Sequence, residues 1–385
     1  MRKQLVTVLG STGSIGRQAL DVVAAHGDLF SVFALSAGRN TKDLIDQARQ
    51  YRPKFVSAAA DFDEQLLPEG TRRIQGENAA EVIAAMPESR IVIGGISGIS
   101  QLKPLLAALN AGKRVALANK ESIVCGHALV DAAISAGKGE LLPVDSEQSA
   151  IFQCLQAGKG AEVRRILLTC SGGPFWRLPK TALEEITIEQ ALRHPTWRMG
   201  KKITIDSATL FNKGLEIIEA CYLFHLPPEK VEVVIHPQSI VHSAVEFTDG
   251  AVIANAGNPD MRLPIQYAMT YPDRLPSPAQ PLSFDRMNGL EFHPADLERF
   301  GALKLAYEAL REGGSAPIVY NGANEKAVEL FLSRRVRFSE IERAVAYAME
   351  RHAPAEPASV EEILMIDRAA RASVEEYFTL GKKVF

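Results

Sequence analysis

Apolar and polar positions alternate in blocks over the first 144 residues. Residues 4–9, 31–35, 54–58, 90–93, 113–118 and 140–144 are short apolar runs bounded by polar or glycine-containing stretches, the pattern of buried strands. Between them, residues 14–26 place Ile15, Ala19, Val22 and Val23 on one helical face, with Gly27 as a stop. Residues 41–50 and 99–111 repeat that helical pattern. Strand alternating with helix predicts a doubly wound, mostly parallel α/β domain.

The pattern then changes. Residues 164–170 and 231–257 read as strands, with Asp249-Gly250 marking a hairpin, and 212–224 reads as a helix. This predicts an α+β domain. Residues 271–297 hold several prolines and little periodicity, as a linker does. From about 298 the periodicity is helical, and Ser339-x-x-Glu342 and Ser359-x-x-Glu362 read as capping boxes opening helices of a small bundle. The expected division is 1–144, 145–270, a linker over 271–297, and 298–385.

Composition narrows the function classes. The 385 residues carry a formal net charge of -3, with no basic surplus for nucleic acid. No apolar run reaches membrane-spanning length, and the first residues lack the apolar core and cleavage site of a signal peptide. A cytoplasmic location without membrane or nucleic-acid partners is therefore expected. Cys125, Cys154, Cys170 and Cys221 are scattered among apolar neighbours, without metal-site spacing, and read as buried inert thiols.

Gly10-Ser-Thr-Gly13-Ser-Ile-Gly16 follows the first strand and opens the first helix. Gly10 suits a tight turn, Gly13 lets backbone approach a pyrophosphate, and Gly16 lets helix pack on strand. Free N–H groups at the helix start then face phosphate. The second strand ends at Gly38-Arg39-Asn40, where an enzyme for NAD carries an acid to accept the ribose hydroxyl. Arg39 instead suits a 2′-phosphate and favours NADP, the alternative being a solvated loop charge.

Three further segments carry chemistry. Asp145-Ser146-Glu147 follows a strand, and its carboxylates suit a hard divalent ion, although on this segment alone helix capping is the favoured reading. Ser207, Asn212 and Lys213 can bind phosphate near a helix start, and Glu216 shares a face with Asn212 and offers a third carboxylate. Asn119-Lys120-Glu121 lies at a strand end, where Lys120 can be a base, a charge stabiliser or an ion-pair partner. Ser171-Gly-Gly offers a hydroxyl and free N–H groups, and 194–200 has the composition of a flap. His236 and His242 lie in strand-like segments and read as packed.

The ordered set GSTGSIG, SAGRN, LANKES, VDSEQSA, CSGGPF, HPTWRMG, DSATLFNKGLEIIEA, HPQSIVHS and NPDMRLP resembles the 1-deoxy-D-xylulose 5-phosphate reductoisomerase family over essentially the whole chain. The resemblance implies a homodimer with an N-terminal Rossmann-like NADPH domain, a central catalytic α+β domain and a C-terminal helical bundle. It implies NADPH contacts from Thr12, Gly13, Ser14, Ile15, Gly38, Arg39, Asn40, Asn119, Glu121 and Gly200. Asp145, Glu147 and Glu216 would hold Mg²⁺ or Mn²⁺, with Co²⁺ a further candidate. Lys120, Ser146 and Glu147 would meet the reacting end of a phosphorylated keto-sugar, and Lys120, Glu147 and His194 would be catalytic. Ser171, His194, Ser207, Asn212 and Lys213 would hold the far end with its phosphate, beside Glu216. Trp197 and Met199 would close over the site, with Thr196 and Arg198 in the variable part of that motif. The implied reaction rearranges the carbon skeleton through C3–C4 cleavage, then reduces the resulting aldehyde. Two rivals are a simple NADP dehydrogenase acting on a hydroxy acid or semialdehyde, and a non-catalytic NADPH sensor.

Overall fold

The computed structural model describes residues 3–137, 139–197 and 199–381; Arg198 of the expected flap therefore lies outside the described residues. The chain divides into two compact units. The first comprises residues 1–122, 126–149 and 260–281, and the second 123–125, 150–259 and 282–385.

The first unit runs β1 (Gln4–Leu9), α1 (Ser14–Ala25), β2 (Phe30–Ala37), α2 (Thr41–Tyr51), β3 (Phe55–Ala58), β4 (Arg72–Arg73), α3 (Ala79–Ala85), β5 (Ile91–Gly94), α4 (Leu102–Asn110), β6 (Arg114–Leu117), α5 (Lys120–Gly137), β7 (Glu140–Pro143) and the first turn of α6 (Ser146–Leu155). Its sheet has the order β4-β3-β2-β1-β5-β6-β7, and every pairing in it is parallel. The doubly wound parallel sheet expected from the alternation is thus present. The strands are near-continuous apolar runs because helices cover both faces; Val6, Val8, Leu9, Ile91, Val92 and Ile93 are at most 1% exposed. β1 lies where the strand order reverses direction, the place at which such sheets open a ligand crevice.

The glycine turn after β1 has a steric origin. Gly10 has φ +72°, and a Cβ there would sit 2.5 Å from the Gly95 carbonyl oxygen. A Cβ on Gly16 would sit 2.4 Å from the Gly10 oxygen. Any larger residue forces α1 away from β1.

A helix over Arg262–Thr270 belongs to this unit although it lies far along the chain. It packs on α1, and His26 Nε2 hydrogen-bonds Gln266 Oε1 at 2.9 Å. The Arg114 guanidinium donates to the carbonyls of Met269 (3.3 Å) and Tyr271 (2.7 Å) just beyond it. The segment expected to be a linker thus begins within the first unit's packing.

The second unit contains β8 (Val163–Cys170), α7 (Ile188–Ala191), α8 (Lys201–Thr209), α9 (Phe211–Leu223), β9 (Val231–Ile235), β10 (Val241–Phe247) and β11 (Val252–Ala256). After the returning helix, here α10, it continues with β12 (His293–Pro294), α11 (Gly301–Glu312), α12 (Ala316–Leu332), α13 (Glu340–Glu350) and α14 (Val360–Gly381). Its mixed sheet has the order β11-β10-β8-β9-β12. The predicted hairpin joins β10 to β11, with Gly250 at φ +88°.

The helical C-terminal region is as expected, but its capping differs. The Ser339 hydroxyl donates to Glu184 at 2.6 Å, and Glu342 accepts the Gly301 N–H at 3.0 Å, so this pair ties α13 to other segments instead of closing a box. The Ser359 hydroxyl does accept the Glu362 N–H at 3.2 Å, while Glu362 reaches past it to the Ala358 N–H. Among the described residues, no helix is long and apolar enough to cross a membrane.

Candidate active site in two half-sites

In the first unit the parallel strands deliver their following turns to one edge of the sheet. After β1, Thr12 to Ile15 form the turn into α1; Gly13 occupies its N-cap position without a side-chain cap, and both Gly13 and Ser14 are exposed. After β2, Gly38, Arg39 and Asn40 are all exposed, and the Asn40 side chain accepts the Asp43 N–H to start α2. After β6, Asn119 is nearly buried; its amide donates to the Gly98 carbonyl (3.0 Å) and to Glu121 (2.8 Å), while its oxygen accepts the Ser122 N–H (2.9 Å). These turns hold nine of the residues expected to meet the dinucleotide. The tenth, Gly200, is the N-cap of α8 and belongs to the second unit.

Adjacent strands β6 and β7 also set two chemical groups side by side. Lys120 opens α5 and Asp145 precedes α6, and the two form an ion pair of 2.5 Å with both side chains largely buried. A carboxylate oxygen of Glu147 lies within 4.8 Å of one of Asp145. The Ser146 hydroxyl donates to Glu147. Of the three roles open to Lys120, the ion pair is the one visible in the geometry.

In the second unit β8 ends at Cys170, and the chain turns through Ser171, Gly172 and Gly173. Gly173 has φ +66°, and a Cβ there would lie 2.6 Å from the Ser207 carbonyl oxygen. Glycine thus lets this loop lie directly against the end of α8. The result is a cluster around one imidazole: His194 Nε2 is 3.1 Å from Ser171 Oγ and 3.0 Å from Ser207 Oγ. Its Nδ1 accepts the backbone N–H groups of Thr196 (3.1 Å) and Trp197 (2.9 Å). Nδ1 therefore has no proton, and the neutral ring carries its hydrogen on Nε2, aimed at the two hydroxyls. Burial pushes the His194 pKa down to about 4.

Beyond the cluster, the chain bends at Leu210, which adopts a left-handed conformation between α8 and α9. α9 then presents Asn212, Lys213 and Glu216 within its first two turns. Lys213 and Glu216 are 3% and 1% exposed and form an ion pair, and Lys213 also donates to the Thr169 carbonyl at 2.6 Å. Asn212 donates to Glu216, as the shared helix face predicts. A buried lysine and carboxylate depend on each other, because removing either strands a charge at a cost of about 3–5 kcal/mol. Asp145 and Glu147 thus stand in the first unit, and Glu216 in the second.

Sequence reasoning passed over Asp206 and Asn324. Asp206 is 1% exposed, accepts from the Asn324 amide of α12 at 2.8 Å and pairs with Lys202 at 2.7 Å, which fixes the helix that carries Ser207. An Asp beside a chosen Ser was visible in the sequence, but its partner lies 118 residues away. Trp197 has its ring 6.3 Å from that of His242 in β10. His236 sits just after β9, fully buried, with Nδ1 donating to the Glu291 carbonyl at 2.8 Å and Nε2 accepting two backbone N–H groups, a packing role. All four cysteines are buried and none is in a disulfide, and burial pushes the Cys154 and Cys221 thiols up to about 11 and about 12.

A parallel-sheet unit with a dinucleotide-type glycine turn, in one chain with two buried lysine–carboxylate couples, has the make-up of a dinucleotide-dependent enzyme. Comparison with known proteins makes the class specific. Residues 6–127 match the family described as 1-deoxy-D-xylulose 5-phosphate reductoisomerase, 141–224 match that enzyme's C-terminal domain, and 256–373 match the DXP reductoisomerase C-terminal domain. The 1-deoxy-D-xylulose 5-phosphate reductoisomerase of Methylococcus capsulatus is 46% identical over 97% of this chain and 98% of its own. The Zymomonas mobilis enzyme, solved with NADPH, is similar in structure at a TM-score of 0.92, with 41% identity over 98% of this chain and 99% of that one. A DOX-P reductoisomerase solved with NADPH, fosmidomycin and magnesium gives 0.91 and 36% identity, with 98% of this chain and 99% of that one covered. The chain belongs to the 1-deoxy-D-xylulose 5-phosphate reductoisomerase family.

The imidazole geometry yields a measurable consequence. The folded His194 ring resists protonation, so between about 4 and its usual 6.5 the unfolded chain binds more protons. Stability contributed by this group is full above that window and falls as pH drops through it. Imidazole NMR should show the His194 resonances constant from pH 8 down to 6 and moving only near 4; a midpoint near 6.5 would contradict the assignment.

Proposed function

We propose that this chain is a metal-dependent NADPH reductoisomerase that converts 1-deoxy-D-xylulose 5-phosphate to 2-C-methyl-D-erythritol 4-phosphate, in the non-mevalonate route to isoprenoids. The observation that carries the reading is the pair of lysine–carboxylate couples, Lys120–Asp145 in the first unit and Lys213–Glu216 in the second. One such couple would serve the proton transfer of a simple NADP dehydrogenase, and a cofactor sensor needs none; a rearrangement followed by a reduction uses both.

The donor set fits a hard divalent ion. Asp145 and Glu147 offer oxygen ligands at one place, and Glu216 is a buried carboxylate already balanced by a cation. Asp145, Glu147 and Glu216 would hold Mg²⁺ or Mn²⁺, which when bound supplies Lewis-acid polarisation of a carbonyl and its neighbouring hydroxyl. NADPH would lie along Thr12, Gly13, Ser14 and Ile15, then Gly38, Arg39 and Asn40, with Asn119, Glu121 and Gly200 completing its contacts, and would supply the hydride.

The remaining residues bind, orient and move protons. Ser171, Ser207, Asn212 and Lys213 hold the substrate phosphate, with His194 donating from Nε2. Lys120 holds a developing oxyanion, Ser146 orients the substrate hydroxyl, and Glu147 takes or returns its proton. Trp197 and Met199 lie on a flap that shuts water away from reactive carbonyl intermediates. Phosphate binding far from the reacting carbons supplies the energy that closes it.

With purified protein, 1-deoxy-D-xylulose 5-phosphate should drive NADPH oxidation that is lost in chelator and restored by Mn²⁺ or Mg²⁺. Full activity in chelator would refute the metal assignment.

We further infer a homodimer working in the cytoplasm, where four buried thiols outside disulfides persist. The support is β11, an edge strand with Val252 and Ile253 exposed at 50% and 39%, a surface that soluble chains ordinarily cover. Sedimentation should give twice the chain mass, and Ile253→Lys should shift it toward one. A wild-type protein sedimenting at a single chain mass would contradict the dimer.

A further inference from the structure

The glycine turn and the 38–40 loop are the two surfaces along which the proposed reading lays NADPH. One guanidinium links them. Arg17, exposed on the first turns of α1, donates from Nε to the Thr12 carbonyl at 3.0 Å and from Nη2 to the Asp43 carboxylate. Asp43, in the first turn of α2, also accepts the Asn40 side-chain amide at 2.6 Å, while its own N–H donates to Asn40 Oδ1 at 3.2 Å. The only acid in the first turn of α2 is thus covered by one cation and one amide. The Arg39 side chain, two residues before α2, has no hydrogen bond or ion pair with a described residue and stays exposed, while its carbonyl accepts the Thr41 N–H at 3.0 Å.

The electrostatic consequence is direct. A bare carboxylate beside this loop repels a 2′-phosphate and accepts a hydrogen bond from a ribose 2′-hydroxyl, which is the chemistry that selects NAD. Arg17, Arg39 and Asp43 together leave the loop with one positive charge. Without Arg17 the other two cancel, and the cradle loses its net attraction for a dianion.

We propose that Arg17 is a cofactor-specificity residue: it selects NADPH over NADH by covering Asp43. This rests on NADPH being the cofactor of the first unit. It adds an indirect determinant to the direct one at Arg39.

The test is a double-mutant cycle on the full chain, reading steady-state KM for NADPH and for NADH and the NADPH Kd by fluorescence titration. Arg17→Gln should raise the NADPH KM and Kd about tenfold, the scale of one charge-assisted interaction. The NADH KM should stay within about twofold. Adding Asp43→Asn should return NADPH to within about threefold of wild type, because the repelling charge has gone. Equal losses for both cofactors, an unchanged NADPH KM, or no recovery in the double variant would each overturn the proposal; the last would mean that Arg17 contacts the phosphate itself. A wild-type protein that fails to saturate with NADPH would instead overturn the cofactor reading beneath it. Arg17 is exposed, so folding of the variant is not at issue.

Discussion

All seven strands of the first sheet run parallel, and that constraint decides where chemistry can occur. Parallel strands open all their following turns on the same edge. The Gly10–Gly16 turn, the Gly38–Asn40 loop, Asn119–Glu121 and Asp145–Glu147 therefore share an edge although they are spread over nearly 140 residues. Neighbouring strands make neighbouring turns, which is why Lys120 after β6 reaches Asp145 after β7. The sheet can bear this row of polar turns because its central strands are buried between helices.

The second unit solves a related problem differently. Its phosphate-type cluster comes from a glycine-tight loop laid on a helix end, with the bend at Leu210 turning the next helix so that Asn212 and Lys213 follow closely on Ser207. The His194 imidazole holds the two serines together through Nε2 and the start of the flap through Nδ1. One neutral ring thus bonds to the cluster and to the segment that would close over it.

Much of this was legible in the sequence, for identifiable reasons. Buried strands flanked by glycine turns leave short, strong signals, so β1, β2, β5 and β6 fall within a few residues of their expected places. Candidate site residues were legible where they sit in one local motif, as in Asp145-Ser146-Glu147 or Asn212 to Glu216. Long-range partners were not. Nothing local says that residues 260–281 pack with the first unit, because the Arg262–Thr270 helix has an ordinary amphipathic pattern and its partners His26 and Arg114 are far upstream. The Ser339 and Glu342 pair misled for the same reason: both side chains found distant partners stronger than each other. Asp206 went unnoticed because its role depends on Asn324, and Arg17 because its role depends on Asp43.

The central claim is that the carboxylate and lysine couples serve a rearrangement of carbon as well as a reduction. Carbon-13 NMR of the product formed from uniformly labelled 1-deoxy-D-xylulose 5-phosphate and NADPH tests it directly. The account predicts a branched polyol phosphate with a quaternary carbon bearing the methyl group. A linear reduced product, with the original carbon order intact, would contradict it.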